Sequence, residues 1–267
     1  MSASLQTPGS EQERLAAPKF PGPGVYPLLD HDTCRKRELD PLAVLSDWRD
    51  GGIVRYYQWR AKTLSDAEYL EVARELRRHA PELALFANDR IELVLGDDTR
   101  HRDQPEAAVF AGLHLGQEDL LALPDADLER LRELRRRRPD FVLGLSTHGV
   151  VQITGAAPQQ GFWSYLALGP CFPTDSKPTG RDPVLSAAEF QTCLGGLAGA
   201  LSGRELSSGF PLVLIGGING TNIEELLNLY AGVPHSERIQ PVVAGIGSTL
   251  DATQISDLRG KIQKYNS

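Results

Sequence analysis

Cations and carboxylates stand at the ends of apolar runs in this sequence, and their spacing points to phosphate chemistry. Gln58, Arg60 and Lys62 are two residues apart, and residues so spaced on a strand share a face. Two cations on the inner face of a sheet are costly unless an anion neutralises them. Arginine offers phosphate oxygens a bidentate fork, and lysine a point charge. The next apolar run closes on Asn88-Asp89-Arg90, and the one after it leads into HLGQED at 114–119. Asp89 and Asp119 are candidate ligands for a hard cation, because Mg2+ takes one or two carboxylates together with substrate phosphates and water. Each also stands where an aspartate commonly caps a helix.

Further along, GLSTH at 144–148 supplies Ser146 and His148. His148 is a candidate acid or base, although a lone histidine is more often structural, and two residues of separation give no geometry for a triad with Ser146. GPCFPTDSK at 169–177 places the hydroxyls of Thr174 and Ser176 beside the Lys177 cation, a plausible phosphate clasp or an ordinary polar turn. Gly216-Gly217 in GGIN, and Ile246-Gly247 in the run AGIGST, follow two late apolar runs. Bare peptide N–H groups there suit a phosphate. The sequence holds no CxxC, HExxH or P-loop, and its three cysteines are far apart, which argues against zinc and disulfides.

The elements that carry these groups alternate. Strand-like apolar runs lie at 24–30, 53–60, 83–88, 111–115, 141–146, 163–169, 211–216 and 241–246. Their near-continuous apolar character is that of strands buried on both faces. Helical spacing marks 66–79, 128–138, 186–201, 221–230 and 252–265, with a short, weakly marked helix near 150–153 and with Thr221 and Asp251 expected as N-caps or first-turn residues. Eight strands alternating with helices, each strand ending in a polar cluster, predict an α/β fold of the (β/α)8 TIM-barrel type rather than an open sheet with one crevice. The expected organisation is a flexible N-terminal arm over 1–20 and one barrel over 21–267, with surface insertions at 96–106 and 202–209.

The length of 267 residues suits one barrel, and a net charge of −7 argues against nucleic-acid or anionic-membrane partners. No run reaches about 18 apolar residues, and residues 1–20 lack the pattern of a signal peptide, so a reducing, cytoplasmic setting is expected. The expected partners are small molecules, and the residues do not decide between a monomer and a homo-oligomer.

Taken together and in order, Gln58-x-Arg60-x-Lys62, Asn88-Asp89, HLGQED, GLSTH, GPCFPTDSK and GGIN resemble the thiamine phosphate synthase family, from the first strand to the last. The resemblance implies a transferase that joins 4-amino-2-methyl-5-(diphosphooxymethyl)pyrimidine to hydroxyethylthiazole phosphate, giving thiamine phosphate and diphosphate. It implies Mg2+ on Asp89 and Asp119. It assigns the pyrimidine diphosphate to Gln58, Arg60, Lys62, Asn88, Ser146 and Lys177, with Arg60, Lys62 and Lys177 as the catalytic cations. It assigns the thiazole phosphate to Thr174, Ser176, Gly217 and the Ile246-Gly247 backbone. Ser176 stands where the family often has threonine, and Gly247 near the place of a serine. A thiazole tautomerase-like barrel is the nearest rival, but such barrels tend to lose the diphosphate and Mg2+ residues, which stand here. A non-catalytic phosphate-binding barrel would lack a charged site residue.

Overall fold

The computed structural model describes residues 24–52, 54–157, 162–174, 183–203 and 209–265. The arm expected over 1–20, and with it Ser176 and Lys177, lie outside the described residues.

Eight parallel strands close into a barrel in sequence order. They are β1 (Gly24–Asp30), β2 (Tyr56–Arg60), β3 (Ala84–Asn88), β4 (Gly112–Leu115), β5 (Val142–Thr147), β6 (Tyr165–Leu168), β7 (Phe210–Leu214) and β8 (Ile239–Gly245). The barrel closes through β8 on β1, with Tyr26 beside Ala244. Helices cross between strands: α1 (His31–Lys36), α2 (Pro41–Asp50), α3 (Asp66–His79), α4 (Ile91–Arg100), α5 (Gln117–Ala122), α6 (Asp125–Arg137), α7 (Val150–Ala156), α8 (Ala187–Ala200), α9 (Ile223–Ala231) and α10 (Ala252–Tyr265). The eight apolar runs are the eight strands. They are apolar throughout because each has one face in the barrel lumen and one under the helices.

Period two divides the strand residues. Leu29, Tyr57, Trp59, Leu85, Leu113 and Leu143 pack outward into the large core under the helices. Tyr26, Leu28, Tyr56, Phe86, Val142, Tyr165, Val213 and Val242 form a second cluster inside the barrel. There the Tyr56 and Phe86 rings stack at 5.8 Å. The lumen is thus a packed core, and ligands must sit at its rim.

Local signals fix the helices. Ser65 and Glu68 form a capping box on α3, and Ser186 and Glu189 do so on α8, each contributing about 1 kcal/mol. Asp251 accepts from Thr253 N at 2.7 Å as expected, but the hydroxyl of Thr221 bonds Asn219 and the α9 cap is Asn222. The supposed surface insertion at 96–106 needs correction. Residues 96–100 continue α4, with Asp97 and Asp98 buried. The Asp97 carboxylate accepts from Val109 N at 2.8 Å, and Asp98 pairs with Arg137. These acids look like surface residues in sequence, yet Asp97 satisfies the chain entering β4 and Asp98 pairs with the cation at the end of α6.

Candidate active site

Most of the expected site residues lie at the C-terminal ends of the strands, where barrel rims bind ligands. On β2, Gln58 faces the lumen and donates through Nε2 to Tyr26 Oη at 3.2 Å. Two residues on, Arg60 is paired with Asp30 at the end of β1. Asp30 is 2% exposed and Arg60 13%. Asp30 also caps α1, accepting from Thr33 N at 2.8 Å. One carboxylate therefore ties the guanidinium to the first helix of the rim. Such a pair lowers the cost of burying the cation while leaving its remaining N–H groups for another acceptor.

The two expected metal ligands meet. Asp89 follows β3 in the left-handed region (φ 57), which aspartate tolerates better than most residues. Its N–H donates to His114 O at 2.9 Å, and its Oδ1 accepts from Gly116 N at 3.0 Å. Asp119 lies in the first turn of α5 and folds back over Gly116. A Cβ added to Gly116 would lie 2.6 Å from Asp119 Oδ2 and 3.7 Å from Asp89 Oδ1. Neither aspartate caps a helix with its side chain, because Arg90 and Gly116 hold the cap positions of α4 and α5.

Burial pushes the Asp119 carboxyl above its ordinary range, and the neighbouring Asp89 charge and the hydrogen bond between them push further. Lys62 pulls the other way. Two carboxylates this close favour either a shared proton or a shared cation. Among the described residues there is no cluster of three or more His, Cys, Asp or Glu that could hold a metal. A pair of carboxylates nevertheless fits Mg2+, whose other ligands are water and phosphate oxygens.

Beneath this rim a string of polar groups crosses the lumen. From Gln58 and Tyr26 it continues through Tyr165 Oη, 3.2 Å from Tyr26 Oη. His114 Nδ1 lies 2.9 Å from Tyr165 Oη, and His114 Nε2 lies 2.9 Å from Ser146 Oγ. Gln117 holds the Ser146 main chain through a 2.6 Å bond to its carbonyl. Gly144 makes room for this, since a Cβ there would lie 2.0 Å from Tyr165 Cζ. Sequence reasoning singled out Ser146 and Gln58 but not Tyr26, Tyr165, His114 or Asp30. Alternation was the available signal: His114 falls two residues before Gly116, and Tyr26 two and four residues before Leu28 and Asp30, all on one face. Asn88, beside His114 in register, has its N–H on Tyr69 Oη at 3.2 Å.

The other side of the rim is made of main chain. Cys171 N donates to Ile215 O at 2.9 Å and Phe172 N to Gly216 O at 3.0 Å, which joins the loops after β6 and β7. Gly216 and Gly217 have φ of 98° and 65°. A Cβ on Gly217 would lie 2.3 Å from Pro173 O, so this close approach requires glycine. Thr174 follows directly in that loop. Ser248 Oγ donates to Ile218 O at 2.8 Å, bringing the Ile246-Gly247 turn beside the β7 loop. Arg37, unremarked in the sequence, reaches across from α1 to donate to Gly247 O at 2.9 Å.

His148 places Nδ1 2.7 Å from Gly169 O, as suits a structural histidine. Burial pushes the Cys171 thiol up to about 12 and the Cys34 thiol to about 11, so neither is a thiolate at neutral pH.

A closed parallel barrel with acids, cations and bare peptide groups gathered at one rim defines a (β/α)8 barrel with its site at the strand C-termini. A sequence profile described as thiamine monophosphate synthase (TMP-TENI) matches residues 25–233. The chain is 28% identical over 247 residues to the thiamine-phosphate synthase of Bacillus cereus, covering 90% of this chain and 94% of that protein. It is 34% identical over 210 residues to the thiamine-phosphate synthase of Koribacter versatilis, covering 77% and 83%. Among solved structures, a type I 3-dehydroquinate dehydratase from Clostridium difficile aligns over 91% of this chain and 92% of its own, at a TM-score of 0.56 and 10% identity, and so shares the fold alone. This chain belongs to the thiamine monophosphate synthase family. Among the described residues, no helix is long and apolar enough to cross a membrane.

Proposed function

We propose that the protein condenses the aminopyrimidine methyl diphosphate with hydroxyethylthiazole phosphate, releasing diphosphate and thiamine phosphate, in an Mg2+-dependent reaction. The observation that carries this reading is the contact between Asp89 and Asp119 beside Lys62, at the end of β3 and the start of α5. A sugar-phosphate isomerase would need a carboxylate or histidine base over the substrate carbon, whereas a departing diphosphate needs the cation that two adjoining carboxylates can hold.

In this reading Arg60, held by Asp30, and Lys62 bind the diphosphate oxygens, and Lys177, which follows β6 in sequence, supplies a third cation. Their charge favours the leaving diphosphate more as negative charge develops on it, which is how fixed cations lower a barrier. Mg2+ on Asp89 and Asp119, when bound, adds to that charge neutralisation at the diphosphate. The electron-rich aminopyrimidine supports positive charge on its methylene as the C–O bond breaks. The thiazole nitrogen then supplies the electron pair for the new C–N bond. Gln58, Asn88 and Ser146 orient the pyrimidine. Thr174, Ser176, Gly217 and the Ile246-Gly247 peptides hold the thiazole phosphate in line with it. No side-chain nucleophile takes part, in keeping with protonated, buried thiols.

The test is an assay with both substrates and Mg2+, reading thiamine phosphate as fluorescent thiochrome after oxidation. The expected result is product that depends on both substrates and is lost in EDTA. Isomerisation of the thiazole phosphate without coupling would replace this reading with the tautomerase one.

A further inference from the structure

The turn after β8 has little charge or donor capacity of its own to give a phosphate. Ser248 Oγ donates to Ile218 O and Thr249 Oγ1 to Gly245 O, so both hydroxyl protons of the turn are committed to carbonyls. What is left at Ile246-Gly247 is peptide, whereas a phosphate monoester carries a charge of about −1.5 to −2 at neutral pH. A cation reaches this turn from α1. Arg37 stands at the C-cap of that helix, its N–H donating to Thr33 O at 3.0 Å, and the buried Cys34 anchors the helix below it. Its Nη1 donates to Gly247 O at 2.9 Å. A Cβ on Gly247 would lie 2.8 Å from Arg37 Nη2 and 3.6 Å from Cζ. Gly247 does not stand in the left-handed region, so its backbone does not require glycine. What the missing side chain supplies is room for the guanidinium.

We propose that Arg37, laid over Gly247, is an anion-binding residue of the β8 turn: it gives that uncharged main chain a positive charge and makes the turn select a phosphorylated ligand. The proposal rests on the synthase reading only for the identity of that ligand, the thiazole phosphate. Among the described residues no carboxylate pairs with Arg37. The Gly247 carbonyl therefore positions the guanidinium without neutralising it, and leaves its other N–H groups for an acceptor. Helix α1 then serves an anion at each end. Asp30, the cap of its first turn, holds Arg60 for one, and Arg37 at its last turn meets the other. Because the Arg37 side chain is exposed, solvent and salt screen its charge, and the expected effects are modest.

Two measurements on Arg37→Gln test this, one of them independent of turnover. The glutamine keeps an N–H donor but no charge, and at an exposed position the variant should fold. In steady-state kinetics its KM for thiazole phosphate should rise about fivefold, with kcat and the KM for the pyrimidine diphosphate within about twofold of the wild type. High salt should shrink the difference between the two proteins. If Arg37 only tethers α1, loosening the helix would disturb Asp30 and with it Arg60, so both KM values would rise together. That result, or an unchanged KM for thiazole phosphate, would overturn the proposal while leaving the synthase reading intact. The second measurement follows the Gly247 amide signal, assigned by its loss in Gly247→Ala, during titration with inorganic phosphate. The signal should move in the wild type, and Arg37→Gln should need about fivefold more phosphate for the same shift. No shift in the wild type, or equal midpoints in the two proteins, would overturn the proposal whatever reaction the protein performs. A wild type that makes no thiamine phosphate but shows the Arg37-dependent shift would remove the synthase reading and keep Arg37 as an anion ligand.

Discussion

The two arcs of the rim are built from different material. From β1 to β5 the site consists of side chains: Asp30 holds Arg60, Asp89 meets Asp119, and His114 meets Ser146. From β6 to β8 its described part is mostly peptide, with Gly216 and Gly217 pressed against the Pro170–Pro173 segment and Ser248 joined to Ile218. The first arc concentrates charge, and in our reading takes the group that must leave. The second is mostly uncharged main chain, and in our reading takes a phosphate that only has to be held. The difference teaches where chemistry and anchoring separate. Isosteric changes should reach the first arc and barely touch the second, whereas the second should respond to an added Cβ.

The largest expected effect is in the acidic pair. Asp89→Asn keeps an oxygen for the Gly116 N–H and a residue type that accepts φ 57, so the fold should persist. Coupling should fall about a hundredfold or more, because one of two charges at the metal site is gone. Near-normal turnover in the thiochrome assay would remove Asp89 from the site. Next comes Arg60→Ala, which should weaken the pyrimidine diphosphate by about thirtyfold, the worth of a charge-assisted bond. Thiazole phosphate binding should change far less. Equal weakening, measured by titration of each ligand, would erase the division between the arcs. This variant also leaves Asp30 buried without its cation and should lose about 3 kcal/mol of stability.

Gly217→Ala probes the other arc. The added methyl meets Pro173 O, and φ 65 disfavours any side chain. The loops after β6 and β7 should part, at about 1–2 kcal/mol in stability. The KM for thiazole phosphate should rise several-fold while that for the pyrimidine stays near its original value. A rise confined to the pyrimidine would reverse our assignment of the arcs.

How far the sequence could be read follows the same division. The strands were legible because burial on both faces writes an apolar run, whereas the closeness of Asp89 and Asp119 was only weakly legible, since spacing alone let each be a helix cap. Residues 31–50, in α1 and α2, carried no helical expectation, although Leu42, Val44, Leu45 and Trp48 lie at helical spacing. Asp97 and Asp98 were misread because their partners, Val109 N and Arg137, are distant in sequence. Tyr26, Tyr165 and His114 look like ordinary strand residues in isolation. Their bonds depend on β1, β6 and β4 meeting across the lumen at one height, and no local pattern encodes that.

The smallest expected effect concerns the charge of the acidic pair without ligand. Burial first, and the Asp89 charge second, raise the Asp119 carboxyl above its free value of 3.8. A carboxyl whose pKa is raised by folding binds its proton more tightly in the folded chain than in the unfolded one. Its contribution to stability is therefore most favourable below the unfolded value, and declines as pH rises through that value towards the folded one. Asp89→Asn removes the second cause and leaves the first. In EDTA, the stability of the variant relative to the wild type should thus increase as pH rises from about 4 to 7, other carboxylates cancelling in the comparison. Mg2+ should act in the same window with the wild type as beneficiary, since it binds the deprotonated pair. It should raise the wild-type melting temperature more at pH of about 7 than at about 4, and raise that of Asp89→Asn less. Melting curves that run parallel in EDTA would mean that the two carboxylates do not feel each other. The charged arc would then have to be rebuilt around Arg60 and Lys62 alone.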